Sequence, residues 1–284
     1  MSGISPINAV GLRVSDLAAM TSFYEEVIGL RAVSQDDGHV ALCPGESGSP
    51  IMLLEEAPGA PERSRDSAGL FHAAIRLPDR PGLAQALRRV EAAGHPLTGA
   101  SDHLVSEALY LDDPEGNGLE LYRDRPREEW DHDEEGHVVM ATRRLDLDDL
   151  RAEADESATR APDGTDMGHV HLEVTDLDRA ARLCADVFGM NLRATWRGAG
   201  FFAFGDYHHH VAVNTWKRRR EPIAEGALGV SALYGHIAST EEADALAERA
   251  NTHPGTSAAI EAGVLTVRDA DNFVWEFCIA GGGS

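Results

Sequence analysis

Histidine and glutamate recur at matching places in two related stretches of the sequence. His72 lies in LFHAAIRLPD and Glu120 in DDPEGNGLELY, while His236 lies in LYGHIAST and Glu276 in RDADNFVWEF. Imidazole and carboxylate groups together are typical ligands of first-row divalent metals. The pattern therefore predicts a metal centre supplied by repeated modules.

The repetition extends over most of the chain. Residues 8–30 (NAVGLRVSDLAAMTSFYEEVIGL) and 168–190 (GHVHLEVTDLDRAARLCADVFGM) both show a strand pattern, an Asp-Leu turn, a helix pattern and a Gly-hydrophobe pair. Looser copies cover 70–122 and 230–279. Each copy of such a repeat must be one supersecondary unit packed against its relatives. We predict four modules, each with the order β-α-β-β-β.

Between the second and third modules lies a polar segment that includes DRPREEWDHDEEG and ADESATRAPDGTD. Its composition is too polar to form a core, so we expect an acidic linker with one short helix through Leu147–Leu150. The predicted organisation is a first domain at 6–125 with modules one and two, a linker at 126–166, and a second domain at 167–281 with modules three and four.

Charge and hydropathy restrict the partners. The net charge of −23 disfavours nucleic acids and anionic membranes. Lys217 is the only lysine, and this scarcity of lysine beside so many acidic residues resembles the composition of proteins adapted to a saturated-salt cytoplasm.

No apolar run approaches the roughly 20 residues that span a bilayer, and Met1 to Asn8 lacks the pattern of a secretory signal. We expect a cytoplasmic protein whose three cysteines are small buried hydrophobes.

Four segments, SDLAAMTSFYEEVIGL, VSEALYLDDPEGNGLELYRDRP, GHVHLEVTDL and YHHHVAVNTW, resemble the vicinal oxygen chelate superfamily. The resemblance is to its two-domain members of the catechol-2,3-dioxygenase or glyoxalase-like type, and it covers nearly the whole chain outside the linker. It implies an α+β fold in which four βαβββ modules pair into cupped mixed sheets around one divalent metal.

Extradiol dioxygenases of this superfamily bind Fe(II) or Mn(II) with two histidines and one glutamate, on the first and last strands of their modules. Carrying these positions over gives two sets of ligands, which are His72, Glu120 and His169, or His169, His236 and Glu276. A site in module one is excluded because Ala9 occupies its histidine position. His171, on the same strand face as His169, stays open as a substitute ligand.

The resemblance also implies catalytic residues. A tyrosine ten residues before the ligand glutamate would face the substrate, and Tyr110 stands there before Glu120, whereas Thr266 stands before Glu276. This favours the first ligand set. His103 is a further polar group facing the substrate, and His209 matches the acid–base histidine. We expect a strand through Tyr207–Val213, with His208 and His210 on the face opposite His209.

The function implied is extradiol cleavage of a catechol or hydroquinone-type aromatic with dioxygen. A histidine with an ordinary pKa, about 6.5, can take a phenolic proton and return it. Two alternatives stay open, which are a glyoxalase-like isomerase or epimerase and a metal-free small-molecule binding protein. The sequence leaves open the substrate, the choice between iron and manganese, and a homo-oligomer.

Overall fold

The computed structural model describes Ile4 and residues 7–36, 38–155 and 159–280, with the backbone alone for 34–36. The predicted α+β class and the four βαβββ modules are confirmed. Module one consists of β1 (Ala9–Val14), α1 (Leu17–Phe23), β2 (Arg31–Asp36), β3 (His39–Cys43) and β4 (Met52–Glu56). Module two consists of β5 (Gly69–Arg76), α2 (Arg80–Ala92), β6 (Gly99–Asp102), β7 (Ser106–Asp112) and β8 (Gly118–Asp124).

The remaining elements follow the same order after a short insertion. The insertion carries β9 (Arg143–Arg144) and α3 (Leu147–Arg151). Module three consists of β10 (Asp166–Glu173), α4 (Leu177–Arg182), β11 (Asn191–Trp196), β12 (Ala199–Ala203) and β13 (Val211–Asn214). Module four consists of β14 (Gly229–Ile237), α5 (Thr240–Thr252), β15 (Ser257–Glu261), β16 (Val264–Arg268) and β17 (Val274–Ile279).

Two compact units are distinguished by their internal contacts. The first unit comprises Met1–Arg13, Gly59–Phe71 and His169–Ser284, and the second comprises Val14–Pro58 and His72–Gly168. The boundaries of the two units fall inside β1, β5 and β10. The predicted domain bounds at 6–125, 126–166 and 167–281 stay a prediction.

Each unit contains strands that lie side by side. In the first unit the neighbours are β15-β16-β17-β14-β1 and β11-β12-β13-β10, and in the second they are β4-β3-β2 and β5-β8-β7-β6-β9. The first and last strands of modules two, three and four pair in parallel, while the hairpins between them are antiparallel. The sheets are therefore mixed, as predicted, and the first and last strands of a module are direct neighbours.

Helices begin and end where the local sequence supplies the caps. The side chain of Asp16 accepts from the Ala19 N–H at the start of α1, and Asp79 does the same for Gly82 at the start of α2. Helix α1 continues into a π-helical turn, which ends at Gly29. The φ of Gly29 is 87°, a left-handed conformation that glycine adopts most easily.

Helix α2 illustrates how the second unit builds its core. Leu83, Ala86, Leu87 and Val90 recur at helical spacing and are fully buried. The burial of each leucine stabilises the fold by about 1.5–3 kcal/mol. Helix α3 packs on α2, and its Leu150 is also fully buried.

Two expectations need correction. The segment 126–166 was expected to be too polar to contribute to a core. It does contribute, because Trp130, Leu145 and Leu150 are buried and β9 pairs with β6. A few apolar residues spaced within a polar sequence suffice to fix it to a neighbouring helix and strand. Among the cysteines, Cys43 and Cys184 are buried as predicted, whereas Cys278 is exposed.

Candidate metal centre

His72 and Glu120 come together because β5 and β8 are parallel neighbours. Ala74 of β5 is directly opposite Glu120 of β8. His72 precedes Ala74 by two residues and therefore points to the same face of the sheet. The Nε2 atom of His72 lies 3.0 Å from Oε2 of Glu120, and both side chains are more than nine-tenths buried.

The turn before β8 fixes the position at which the strand that carries Glu120 begins. Oδ1 of Asp113 accepts from the backbone N–H groups of Glu115 and Asn117, while its Oδ2 accepts from the Asn117 amide and the Tyr24 hydroxyl. Burial raises the pKa of Asp113 to about 6 despite these hydrogen bonds. A fully bonded, buried carboxylate thus holds the start of β8 in one register.

His169 follows Gly168, which lies against the strand that carries Glu120. A Cβ atom added to Gly168 would lie 1.8 Å from the hydroxyl of Tyr122, so only glycine allows this approach. His169 is 2% exposed. One ligand atom from each of His72, Glu120 and His169 lies within 4.8 Å of the others.

The donor set fits a divalent first-row metal. Two imidazole nitrogens and one carboxylate oxygen are the ligands of a facial triad, which leaves coordination positions open for substrate. All of its members are buried, and a buried carboxylate with two imidazoles is stabilised when a cation shares its charge. The first predicted ligand set is thus brought together, and its role as a metal site stays a prediction.

Tyr110 lies directly beside this group. It is opposite Glu120 in the antiparallel pair of β7 and β8, and its ring centroid is 5.7 Å from that of His72. Burial raises the pKa of Tyr110 well above its usual value of 10, and the negative charge of Glu120 and a hydrogen bond to this carboxylate raise it further. The phenol therefore keeps its proton at neutral pH and can donate it in a hydrogen bond.

His103 orients the Tyr110 hydroxyl. Its Nε2 lies 2.7 Å from the Tyr110 oxygen, and its Nδ1 lies 2.7 Å from the carbonyl oxygen of Ala141. A carbonyl oxygen can only accept, so Nδ1 carries a proton and, in the neutral ring, Nε2 accepts from the phenol. Ala141 belongs to the segment predicted to be a linker, and no residue type in the sequence signals this backbone contribution.

His209 lies against His169, but the strand predicted to carry it starts later. Strand β13 begins at Val211, and the residues before it form a turn. The His209 ring is 4.1 Å from that of His169 and 5.1 Å from that of Phe201. Its Nδ1 lies 2.7 Å from Nδ1 of the preceding His208.

The predicted alternation of the three histidines was therefore wrong in part. His208 is not opposite His209, since its ring centroid lies 6.0 Å from that of His169. His210 does take a different direction, since its ring lies 6.1 Å from that of Phe204 and its Nδ1 accepts from the Phe204 backbone N–H at 3.2 Å. Alternation of side chains holds only inside a strand, and the turn bends the backbone so that two successive histidines share one side.

The second predicted ligand set is not brought together in the part of the chain that the structure describes. Glu276 of β17 is opposite Tyr234 of β14. By the register of module two, the histidine position lies two residues before Tyr234, at Ala232, whereas His236 lies two residues after it. His236 is exposed, and within the described residues no group of ligand atoms includes it or Glu276.

His171 is held away from a ligand role by its own hydrogen bond. Oδ1 of Asn214 accepts from the Trp216 backbone N–H, which turns its Nδ2 towards Nε2 of His171 at 2.9 Å. An amide nitrogen donates, so Nε2 accepts and Nδ1 carries the proton. Asn214 is a site residue that sequence reasoning missed, because nothing about a lone asparagine at the end of a strand pattern signals this role.

A second group of ligand-type residues, Asp133, Glu135 and His137, is found on the surface. Oδ1 of Asp133 accepts from the backbone N–H groups of the other two residues. The cluster is explained as a capped turn in the acidic segment.

Within the described residues, no helix is both long enough and apolar enough to cross a membrane.

Comparisons with known proteins agree with the geometry. The family model described as the Glyoxalase/Bleomycin resistance protein/Dioxygenase superfamily matches residues 6–121. The chain is 40% identical over 253 residues to the catechol-2,3-dioxygenase of Bacillus subtilis (strain 168), which covers 87% of each protein. It is 31% identical over 125 residues to biphenyl-2,3-diol 1,2-dioxygenase 3 of Rhodococcus globerulus, which covers 43% of this chain and 66% of the relative.

Solved structures show the same fold. A candidate dioxygenase from Bacillus subtilis superposes with a TM-score of 0.69 at 16% identity, covering 100% of this chain and 87% of the other. Glyoxalase I from Zea mays superposes with a TM-score of 0.64 at 14% identity, covering 98% and 93%.

Proposed function

Since the chain belongs to the glyoxalase/bleomycin resistance protein/dioxygenase, or vicinal oxygen chelate, superfamily, we propose that it is a metal-dependent extradiol dioxygenase. The proposed substrate is a catechol or hydroquinone-type aromatic, whose ring is cleaved beside its hydroxyl groups with consumption of dioxygen. The observation that carries the proposal is the buried group of His72, Glu120 and His169 next to Tyr110. The name of the Bacillus subtilis relative supports the same reaction type.

We assign His72, Glu120 and His169 as the residues that would hold Fe(II) or Mn(II). A divalent metal at this position would lower the pKa of a chelated catechol and allow dioxygen to react beside it. The protein must then orient the aromatic ring, exclude water and move protons. The burial of all three side chains supports the exclusion of water.

Tyr110 is assigned to a substrate hydroxyl. Its own proton goes to Nε2 of His103, so the phenol oxygen would accept a hydrogen bond from the substrate. It remains a neutral phenol because burial and the neighbouring Glu120 carboxylate oppose its ionisation. A buried phenol held by His103 can keep one orientation without the entropy cost of a rotating hydroxyl. His103 is thus a positioning residue, which acts on the substrate through Tyr110.

His209 is assigned to proton transfer. Its Nδ1 is engaged with His208, so Nε2 is the atom that would take the proton of a substrate hydroxyl. For Nε2 to accept, the Nδ1–H of His209 must donate to Nδ1 of His208. In that direction the contact would give His209 the tautomer that a general base needs, and the same nitrogen could return the proton later.

The test is anaerobic reconstitution with Fe(II), Mn(II) or Zn(II) in separate samples, followed by catechol and air. We expect oxygen uptake and a yellow ring-fission product with iron or manganese. Zn(II) serves as the control that occupies the ligands but does not support the oxygenation chemistry. Tight iron and manganese binding without oxygen uptake on any simple catechol would contradict the proposal. Isomerisation without oxygen consumption would instead favour the glyoxalase-like alternative.

A further inference from the structure

Strand β10 carries three buried titratable residues on one face. His169, His171 and Glu173 alternate along the strand and are 2%, 3% and 1% exposed. Residues at this spacing point to the same side and lie about 7 Å apart along the strand. The face therefore continues from the candidate metal ligand to Glu173 over about 13 Å.

Aromatic rings surround the middle residue of this face. The His171 ring centroid lies 5.0 Å from that of Phe71, 5.1 Å from that of Trp216 and 5.8 Å from that of Phe201. Trp216 is 42% exposed, so one side of this aromatic cluster borders solvent. The cluster extends to the candidate site, since Phe201 also contacts His209 and His209 contacts His169.

Three cations meet the buried carboxylate at the far end of the face. Arg219 approaches Glu173 through both Nε, at 2.9 Å, and Nη2, at 2.5 Å. Lys217 Nζ lies 3.0 Å from its Oε1, and Arg63 Nη1 lies 3.4 Å from its Oε2. Lys217 also lies 5.4 Å from the centroid of the Phe71 ring. Its ammonium group therefore borders the aromatic cluster.

One guanidinium is enough to neutralise one carboxylate, so the cluster carries positive charge in excess. Arg219, with a side chain that is 9% exposed and two contacts to Glu173, is the structural partner. Lys217 and Arg63 make single contacts and expose 55% and 25% of their side chains. This excess is notable in a chain of net charge −23 with a single lysine. A buried glutamate between cations would serve to hold them in place against their mutual repulsion.

We propose that the substrate ring carries a carboxylate substituent, which Lys217 and Arg63 bind while the ring lies against Phe71 and Trp216. This inference rests on the proposed function for the position of the reacting end at His169. A ring held near His169 with a substituent of a few bonds would span the face as far as the Lys217 ammonium. A partly buried cation beside aromatic rings attracts an anionic group and discriminates against a neutral one.

The test measures binding without catalysis. Metal-free protein is titrated by calorimetry with para-hydroxyphenylacetate and, separately, with its methyl ester, in which a methyl group replaces the negative charge of the substituent. We expect the acid to bind about fivefold to tenfold more tightly than the ester. The preference should weaken as salt is raised, since the cations are partly exposed.

Variants assign the preference to Lys217. Lys217→Met keeps most of the unbranched side chain and should weaken the preference for the acid, because only Arg63 then remains to bind the carboxylate, whereas Lys217→Arg should retain the preference. Arg218→Gln is the matched control, because it removes one charge from the exposed neighbouring residue, which forms no ion pair with Glu173 in the described part of the chain. It should leave both affinities unchanged.

Equal affinity for acid and ester in the wild type, or binding of neither, would overturn the inference. So would an acid preference that is unchanged in Lys217→Met. Failure of the proposed function has a different result, because the metal-loaded protein would then consume no oxygen with any catechol while the acid preference persisted.

Discussion

The Nε2 atom of His103 lies 2.7 Å from the hydroxyl of Tyr110, and the opposite nitrogen of the same ring binds the carbonyl oxygen of Ala141. The Tyr110 hydroxyl is therefore oriented by the His103 ring, and the backbone carbonyl of Ala141 determines the tautomer of that ring. Tyr110 has one proton and two neighbouring acceptors, His103 and Glu120. When Glu120 is committed to a metal, His103 becomes the acceptor that fixes the direction of the phenol.

The His103–Tyr110 pair should act as one unit in catalysis. Tyr110→Phe should lower kcat by about tenfold to a hundredfold, because one buried hydrogen bond to the substrate is lost and its partner is left unsatisfied. His103→Ala should lower kcat by less, and it should have no further effect in the Tyr110→Phe background, because its influence passes through the phenol. Steady-state kinetics of the double-mutant cycle test this, with metal content measured for each protein. Additive losses would show that His103 acts independently of Tyr110.

Removal of a candidate ligand should abolish metal retention. His72→Ala and Glu120→Gln each delete one member of a buried three-residue group, and we expect the metal affinity to fall at least a hundredfold. His236→Ala is the control, since His236 is exposed and lies outside that group. Metal analysis after gel filtration gives the readout. Retention of metal in His72→Ala, or its loss in His236→Ala, would contradict the ligand assignment.

The module pattern could be predicted because it depends on local sequence, whereas the first ligand set was carried over from the family resemblance and stays a prediction as a metal site. Alternating apolar residues, an aspartate cap and a terminal glycine at Gly29 specify a strand and a helix without reference to distant parts of the chain. The spacing from Tyr110 to Glu120 was also informative, since a hairpin places these residues directly opposite each other. Thr266 and Glu276 are opposite each other in the same way, which confirms that module four lacks the phenol.

Features that depend on register or on the backbone could not be predicted. The position of His236 relative to Glu276 follows from the pairing of two strands that are separated in sequence, and a slip of a few residues leaves no trace in composition. The turn before β13 gave His208 an unexpected direction. Every residue type has a backbone carbonyl, so the sequence could not indicate that the carbonyl of Ala141 binds His103.

Proton transfer by His209 predicts a selective loss of catalysis. His209→Gln should lower kcat by about a hundredfold or more while the protein keeps its metal, since general acid–base catalysis contributes about 10²–10⁴. The control His210→Gln changes a histidine of the same turn whose ring lies against Tyr207 and Phe204. It should retain most of the activity. Since the His209 ring lies against His169, metal content must be measured in parallel, and loss of metal in His209→Gln would indicate a structural role instead.

A buried carboxyl group predicts how stability depends on pH. Asp269 accepts backbone N–H groups from Asp271 and Phe273, and its Oδ2 lies 3.2 Å from the indole nitrogen of Trp275. Burial raises its pKa from 3.8 to about 7, and the neighbouring Asp271 charge adds to this effect. The folded state therefore binds this proton more tightly than the unfolded state. The stabilisation that this proton contributes is present in full below about pH 4 and is lost as the pH rises towards 7.

Asp269→Asn should remove this dependence. The free energy of unfolding of the variant relative to wild type should increase between pH 4 and 7, by up to about 1.4 kcal/mol per pH unit. The lost hydrogen bond to Trp275 adds only a constant offset, so the slope is the informative quantity. Urea unfolding of metal-free protein measures it without a contribution from metal binding. Asp206→Asn, at an exposed position, supplies the control, and a slope equal to that control would show that Asp269 is not the group responsible.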